Sequence, residues 1–208
     1  MYNNIIIMQT FMSLTYLLVL NTINFGFSMV NTVKLLDLES YDGRWYQVYG
    51  NNFDQLFEKI ASCITADYTL IPNGNVSVLN SQYEENRVVQ IKGYAYYSST
   101  NKNPKLHPCK LTVHLDGVTR DSTYWIYDLG PTVNEQYEWA IVSDPLFLSL
   151  FVLVRDVDTF YELYNSEVLT ILENYSIDEL VTVSHDNCEY APLSYIPNLR
   201  RRFLRDYA

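Results

Sequence analysis

The chain has 208 residues, with 24 acidic against 14 basic side chains and a formal charge of −10 at neutral pH. That length suits one domain, and an acidic chain repels phosphate backbones, which excludes nucleic acid as a partner class. There is no Cys-x-x-Cys, and His107, His114 and His185 form no ligand cluster, so neither a metal site nor a cofactor is expected.

Residues 1–28 contain no Asp, Glu, Lys or Arg. Apolar runs at 5–8 and 14–20 precede Gly26-Phe27-Ser28, a small-x-small cleavage pattern, so this segment reads as a secretory signal peptide. Asn21, Thr22 and Asn24 break the apolar run before it reaches the ~20 residues of a spanning helix. The mature chain is then secreted. Its three cysteines, Cys63, Cys109 and Cys188, imply one bridge and one spare thiol. Asn75-Val76-Ser77 and Asn174-Tyr175-Ser176 are glycosylation sequons, with Asn75 and Asn174 as acceptors.

Strand and turn signals alternate from Trp45 onward. Gly43-Arg44-Trp45 opens a strand over 45–49. A looser stretch carrying Phe53, Leu56 and Phe57 follows. Strands are predicted over 63–70, 76–83 and 87–97, the first pair joined at the Asn73-Gly74 turn. Others are predicted over 106–115 (interrupted by Pro108), 123–128, 137–143 and 148–155. The period then becomes helical from about 156 to 174, with Asp156 or Asp158 as N-cap. A last strand is expected over 178–184. Residues 193–208, with Arg200, Arg201, Arg202 and Arg205, read as a flexible basic tail. Hairpin-connected strands of this kind suit an all-β, eight-stranded antiparallel up-and-down barrel with one C-terminal helix outside. An eight-stranded barrel is wide enough for one small ligand.

At this point the chain resembles the lipocalin family, over about residues 35–190 and within an expected domain of 29–192. Gly43 and Trp45 match the family's Gly-x-Trp, and Arg155 matches the Arg that closes its last barrel strand. The family's Thr-Asp-Tyr motif is not reproduced; Tyr127-Asp128-Leu129-Gly130-Pro131 stands there. Segments 63–70, 73–80, 91–95 and 177–180 look like the apolipoprotein D and bacterial Blc branch. The resemblance implies an Arg155 guanidinium stacked on Trp45, a contact of about 0.5–2 kcal/mol. It also implies a Cys63–Cys188 bridge.

Strand alternation then assigns a lining. If Arg155 points inward, so do Phe151 and Leu153. If Cys63 points outward, then Ile64, Ala66 and Tyr68 point inward. Ile91, Gly93, Ala95 and Tyr97 form the small face of the long strand. With Glu138 toward water, Tyr137, Trp139 and Ile141 face in. This lining suits a small, elongated hydrophobic ligand with a polar end: a fatty acid, sterol, retinoid or pigment, carried or sequestered. Phe53, Leu56 and Phe57, and Leu146, Phe147 and Leu148, should ring the mouth. They either pack over it or touch membranes and lipid particles transiently. A monomer or weak dimer is expected. Two other readings stand beside the carrier: a protein-binding module on the same scaffold, and an enzyme acting on a lipid or pigment through a Tyr or through Cys109, with His107 two residues away on the same face and Lys110 on the other.

Overall fold

The computed structural model describes residues 31–51, 62–72, 74–84, 87–97, 109–177 and 179–190. The expected leader, the basic tail and the Phe53, Leu56, Phe57 cluster lie outside them. The strands are β1 (Gly43–Asn51), β2 (Ser62–Leu70), β3 (Val76–Glu84), β4 (Arg87–Tyr97), β5 (Lys110–Leu115), β6 (Ser122–Leu129), β7 (Thr132–Val133), β8 (Gln136–Tyr137), β9 (Trp139–Ser143), β10 (Leu150–Val154) and β11 (Leu180–Thr182).

Antiparallel pairing runs β10-β9-β6-β5-β4-β3-β2-β1, and β10 pairs back onto β1. This closes an eight-stranded barrel, which removes every exposed sheet edge among those strands. The short β11 adds to the far half of β1, pairing Tyr49–Asn51 with Leu180–Thr182 beyond the last β2 pair, Tyr46–Thr65. β7 and β8 form a separate hairpin inside the β6–β9 connection.

Directly opposed residues share a face. The rows Trp45–Ala66–Asn80–Ile91 and Tyr68–Val78–Gly93–Leu115 therefore line the inside, along with Leu70–Val76–Ala95–Val113. Trp45, Ala66, Tyr68, Val76, Val78, Ala95 and Val113 belong to one buried cluster. A Cβ on Gly93 would lie 1.9 Å from the carbonyl oxygen of His114. This glycine admits the backbone of β5, so its smallness serves strand packing and not ligand room.

Outside the barrel, Asp156 is the N-cap; its carboxylate accepts from the Thr159 amide at 2.8 Å. The helix then runs as α1 (Val157–Thr159), a π-helical turn over Phe160–Tyr164, and α2 (Asn165–Asn174). Phe160, Val168 and Leu172 are fully buried. Tyr49, brought to the outer face by a bulge at Val48, holds the helix through its ring, 6.2 Å from Phe160, and its hydroxyl, which donates to Asn165 at 2.8 Å.

Candidate functional site

A turn of helix precedes the barrel at Leu38–Tyr41, capped by Asp37. Its last residues meet the start of β1 and the end of β10 and seal one end of the barrel. The Arg155 guanidinium lies 3.8 Å from the Trp45 ring centroid. It donates to four carbonyls: Arg44 (2.8 Å), Asp42 (2.9 Å), Ser40 (3.1 Å) and Tyr137 (3.2 Å). The Trp45 indole N–H donates to the Tyr41 carbonyl at 3.0 Å. Burial pulls Arg155 down to about 10, so it stays charged at neutral pH.

Above this lock lies a floor of three tyrosines. The hydroxyls of Tyr41 and Tyr68 meet that of Tyr124 at 2.7 and 3.0 Å. Burial pushes Tyr68 up to about 12 and raises Tyr41 and Tyr124 well above the ordinary tyrosine value, so all three stay neutral. Leu36 and Leu38, from the segment before β1, fill in beside them. Together with Val76, Ala95, Leu111, Val113 and Ile126 they enclose a space of only about 20 Å³. The base of the barrel is thus packed, and the segment over residues 33–41 supplies part of the packing.

The expected lining residues divide into three groups. Ala66, Tyr68, Ala95 and Leu153 are buried in the inner cluster, with Tyr97 and Phe151 half-buried against it. Ile64 is buried and Ile91 half-buried; by alternation both face in, nearer the open end, with Gly93 beside them. Tyr137 is likewise half-buried against that cluster, from outside β9, whereas Trp139 and Ile141 are corrections. Tyr137 belongs to β8 and packs at the sealed end, where its hydroxyl accepts from the Asp37 amide at 3.3 Å. Trp139 and Ile141 oppose Val154 and Val152, while Ala140 and Val142 oppose the inner residues Leu153 and Phe151. Trp139 and Ile141 therefore face outward. Glu138 lies outside β9, and every residue of β9 is buried, so no polar alternation marks its inner face. Trp139 packs instead over Gly130, where a Cβ would sit 2.6 Å from its ring.

Reasoning from sequence also missed Tyr41, Tyr124, Leu36 and Leu38 on the floor, and Gln47 and Asn80 on the inner wall. The period-2 pattern does flag Asn80 with Val76 and Val78, but a polar residue there reads as solvent-facing.

Cys63 and Cys188 form a disulfide. Cys63 has a left-handed backbone (φ 56°) at a β2 bulge. Its amide donates to the Ser184 carbonyl at 2.8 Å. The leftover Cys109 is fully buried in the inner cluster and its thiol is pushed up to about 12 by burial. It holds no thiolate at neutral pH, the opposite of what a nucleophile needs.

Beside the bridge, His185 is held between the Gln47 carbonyl (2.8 Å from Nε2) and the Tyr190 hydroxyl (2.6 Å from Nδ1). The neutral ring satisfies both, donating from Nε2 and accepting at Nδ1. Burial lowers its pKa below the ordinary 6.5. A depressed folded pKa gives stability that is full above the unfolded value and is lost as pH falls through the folded one. The protection of amides across 184–190, relative to their intrinsic exchange rate at each pH, is therefore expected to fall below pH 6.5 compared with pH 7.5. His185→Gln should abolish that pH step; an unchanged step in the variant would contradict the assignment.

At the open end, Asp144 organises the β9–β10 connection by accepting from the amides of Leu146 (2.7 Å) and Ser149 (2.6 Å). Leu146 and Leu148 are left exposed. Phe147 departs from the expected mouth cluster. Its left-handed backbone (φ 55°) turns it onto the outer wall, 4.5 Å from Tyr127 and 5.7 Å from Tyr175. Of the sequon residues, Asn174 is exposed at the end of α2 and Asn75 half-buried in the β2–β3 hairpin.

Residues 36–185 match the family model described as a lipocalin-like domain. Temperature-induced lipocalin-1 of Arabidopsis thaliana is 30% identical over 159 residues, covering 73% of this chain and 80% of that protein. Apolipoprotein D of Mus musculus is 35% identical over 43% of this chain and 44% of its own length. Outer membrane lipoprotein Blc of Vibrio cholerae is 31% identical over 61% and 68%. Insecticyanin from Manduca sexta superimposes with a TM-score of 0.55, covering 78% of this chain and 88% of that one, and at 16% identity it speaks for the fold alone. With the closed barrel, the stacked Trp45–Arg155 lock and the match across most of its length, the chain belongs to the lipocalin family.

Proposed function

We propose that the protein is an exported carrier that encloses one small hydrophobic molecule between the tyrosine floor and the open end. The observation that carries this is a barrel sealed at one end with an inner wall of apolar side chains. Each methylene moved from water onto such a wall contributes about 0.8 kcal/mol. The seat is assigned to Ile64, Ala66, Ile91 and Phe151, with Tyr68 and Leu153 below. Export fits the Cys63–Cys188 bridge, since disulfides persist in oxidising compartments.

Fluorescence titration with retinol, dehydroergosterol and cis-parinaric acid tests it. At least one probe is expected to bind saturably at one per chain, with Kd of about 1 μM or tighter. Ala66→Trp, which fills the seat, should weaken that binding at least tenfold. Failure of all three probes to saturate would overturn the carrier reading.

A second reading concerns loading. Tyr83, Val88, Val118, Leu146 and Leu148 are exposed, and all five lie in or beside the β3–β4, β5–β6 and β9–β10 connections at the open end. We propose that this rim touches a lipid surface while ligand is exchanged. The net charge of −10 favours a zwitterionic over an anionic surface. Transfer of dehydroergosterol from phosphatidylcholine vesicles should slow severalfold in Leu146→Glu/Leu148→Glu, with solution affinity unchanged. Equal transfer rates would remove this reading.

A further inference from the structure

The outer faces of β2 and β3 bury side chains that a wall open to water would leave exposed. Opposed pairs on that face are Asp67–Leu79, Thr69–Ser77 and Thr65–Ser81. Asp67 is 4% exposed, Thr69 5%, Ser77 4% and Leu79 3%. Leu79 clusters with Ile71, just past the end of β2. Arg44 donates twice to Asp67, at 2.7 Å each, and this ion pair is buried as well. A leucine and a charge pair held out of water on the outside of a barrel call for something lying over them.

Part of that cover is the segment over residues 184–190. The Cys63–Cys188 bridge ties it to β2, and Tyr190 packs on Tyr46 with ring centroids 5.0 Å apart. Glu189 and Tyr190 border an outer groove together with Arg44, Thr65, Ser81 and Gln90. Thr69, Ser77, Leu79 and Ile71 lie further toward the sealed end. Among the described residues, the elements that chiefly meet β2 and β3 are each other, β1, β4 and the turn at Leu38–Tyr41. The strands lie alongside in the sheet, and the turn stacks Tyr41 on the inward Tyr68, so none of these crosses the outer face.

The chain continues from Tyr190, at the edge of this face, as Ala191-Pro192-Leu193-Ser194-Tyr195-Ile196-Pro197-Asn198-Leu199. That stretch has no charged residue, and the basic cluster begins only at Arg200. Nine extended residues reach about 30 Å, while Thr65 to Ile71 along β2 spans about 20 Å. Pro192 and Pro197 favour extended backbone and lack an amide donor. Neither property is a loss here, because β2 and β3 have ladder partners on both sides and offer no edge to a further strand.

We propose that residues 191–199 lie across the outer face of β2 and β3 as a strap, with Leu193, Tyr195, Ile196 and Leu199 supplying the apolar cover for Leu79 and Ile71. The partner that this surface fits is thus the chain's own C-terminal segment. Arg200, Arg201, Arg202 and Arg205 fall beyond the seat, since the one carboxylate on it, Asp67, is already taken by Arg44. The proposal is independent of the carrier reading.

Thr69→Cys puts a small thiol on the covered face, and its maleimide labelling reads the cover directly, because Cys109 is buried and the other two cysteines are bridged. In a chain ending at Tyr190 that thiol should label about tenfold faster, or more, than in the full chain. A chain ending at Leu199 should protect it as the full chain does. Leu193→Asp/Ile196→Asp in the full chain should expose it as the shorter truncation does, and it carries the comparison if the chain ending at Tyr190 does not fold. Equal labelling in the full chain and in these variants would overturn the proposal. If all label fast, the face is open; if all label slowly, the leader or another protein covers it. Protection lost on removing only residues 200–208 would overturn it too, and would assign the seat to the basic cluster.

Discussion

Arg155→Ala is expected to lower the unfolding free energy by about 3 kcal/mol, and the Tm by about 6–12 °C. The guanidinium donates to four backbone carbonyls drawn from two separate segments, three within Ser40–Arg44 and the fourth at Tyr137, and so ties both to the end of β10. It also covers the Trp45 ring at 3.8 Å. Alanine leaves those carbonyls without their charged donor and opens the base to water. Burial of the charge already costs something, as the fall to about 10 shows, and its removal returns that part. Arg155→Lys should recover little. An ammonium keeps the charge but has neither the planar stack nor the fork that reaches several carbonyls at once. Thermal unfolding of both variants checks this; a lysine variant as stable as wild type would mean that charge alone seals the base. Because the lock lies below the tyrosine floor, probe affinity at 20 °C should change far less than stability.

Removing the disulfide is the other large effect. Cys63 and Cys188 are 125 residues apart, so the bridge closes a long loop in the unfolded chain. The chain-entropy model gives about 5 kcal/mol for a loop of that size. Cys63→Ser/Cys188→Ser is therefore expected to shift the urea midpoint strongly downward and to steepen the slope, because the unbridged denatured chain exposes more surface. The bridge ties the segment after β11 to the first residues of β2, and His185 clamps the same segment to β1. In the double serine variant that segment should exchange its amide protons first. A reduced protein with an unaltered midpoint would show that the native contacts alone hold the segment.

Much of the architecture was legible along the chain. β4 was placed at 87–97 without error because the turns on both sides are strong and one face of the strand meets water. The helix and its Asp156 cap were legible for a similar reason, since acids at a helix start and a period change leave a local signature. The inner faces were less so. Alternation worked on β2 and β10, where Ala66, Tyr68 and Leu153 join the inner cluster, and failed on β9. There Trp139 and Ile141 on the outer face are as buried as Ala140 and Val142 on the inner one, and hydrophobicity carries no sense of direction.

The amino-acid sequence by itself determined the order of the eight barrel strands, because turns and residue type punctuate them, and the resemblance to lipocalins carried the Trp45–Arg155 pair and the Cys63–Cys188 bridge, while the β7–β8 hairpin was not legible. Only the tertiary structure decided that Val48 bulges and sends Tyr49 outward, that Phe147 leaves the mouth for the outer wall, and that Tyr41, Tyr124 and Leu36 fill the base. Each of those depends on what a residue far along the chain places opposite it.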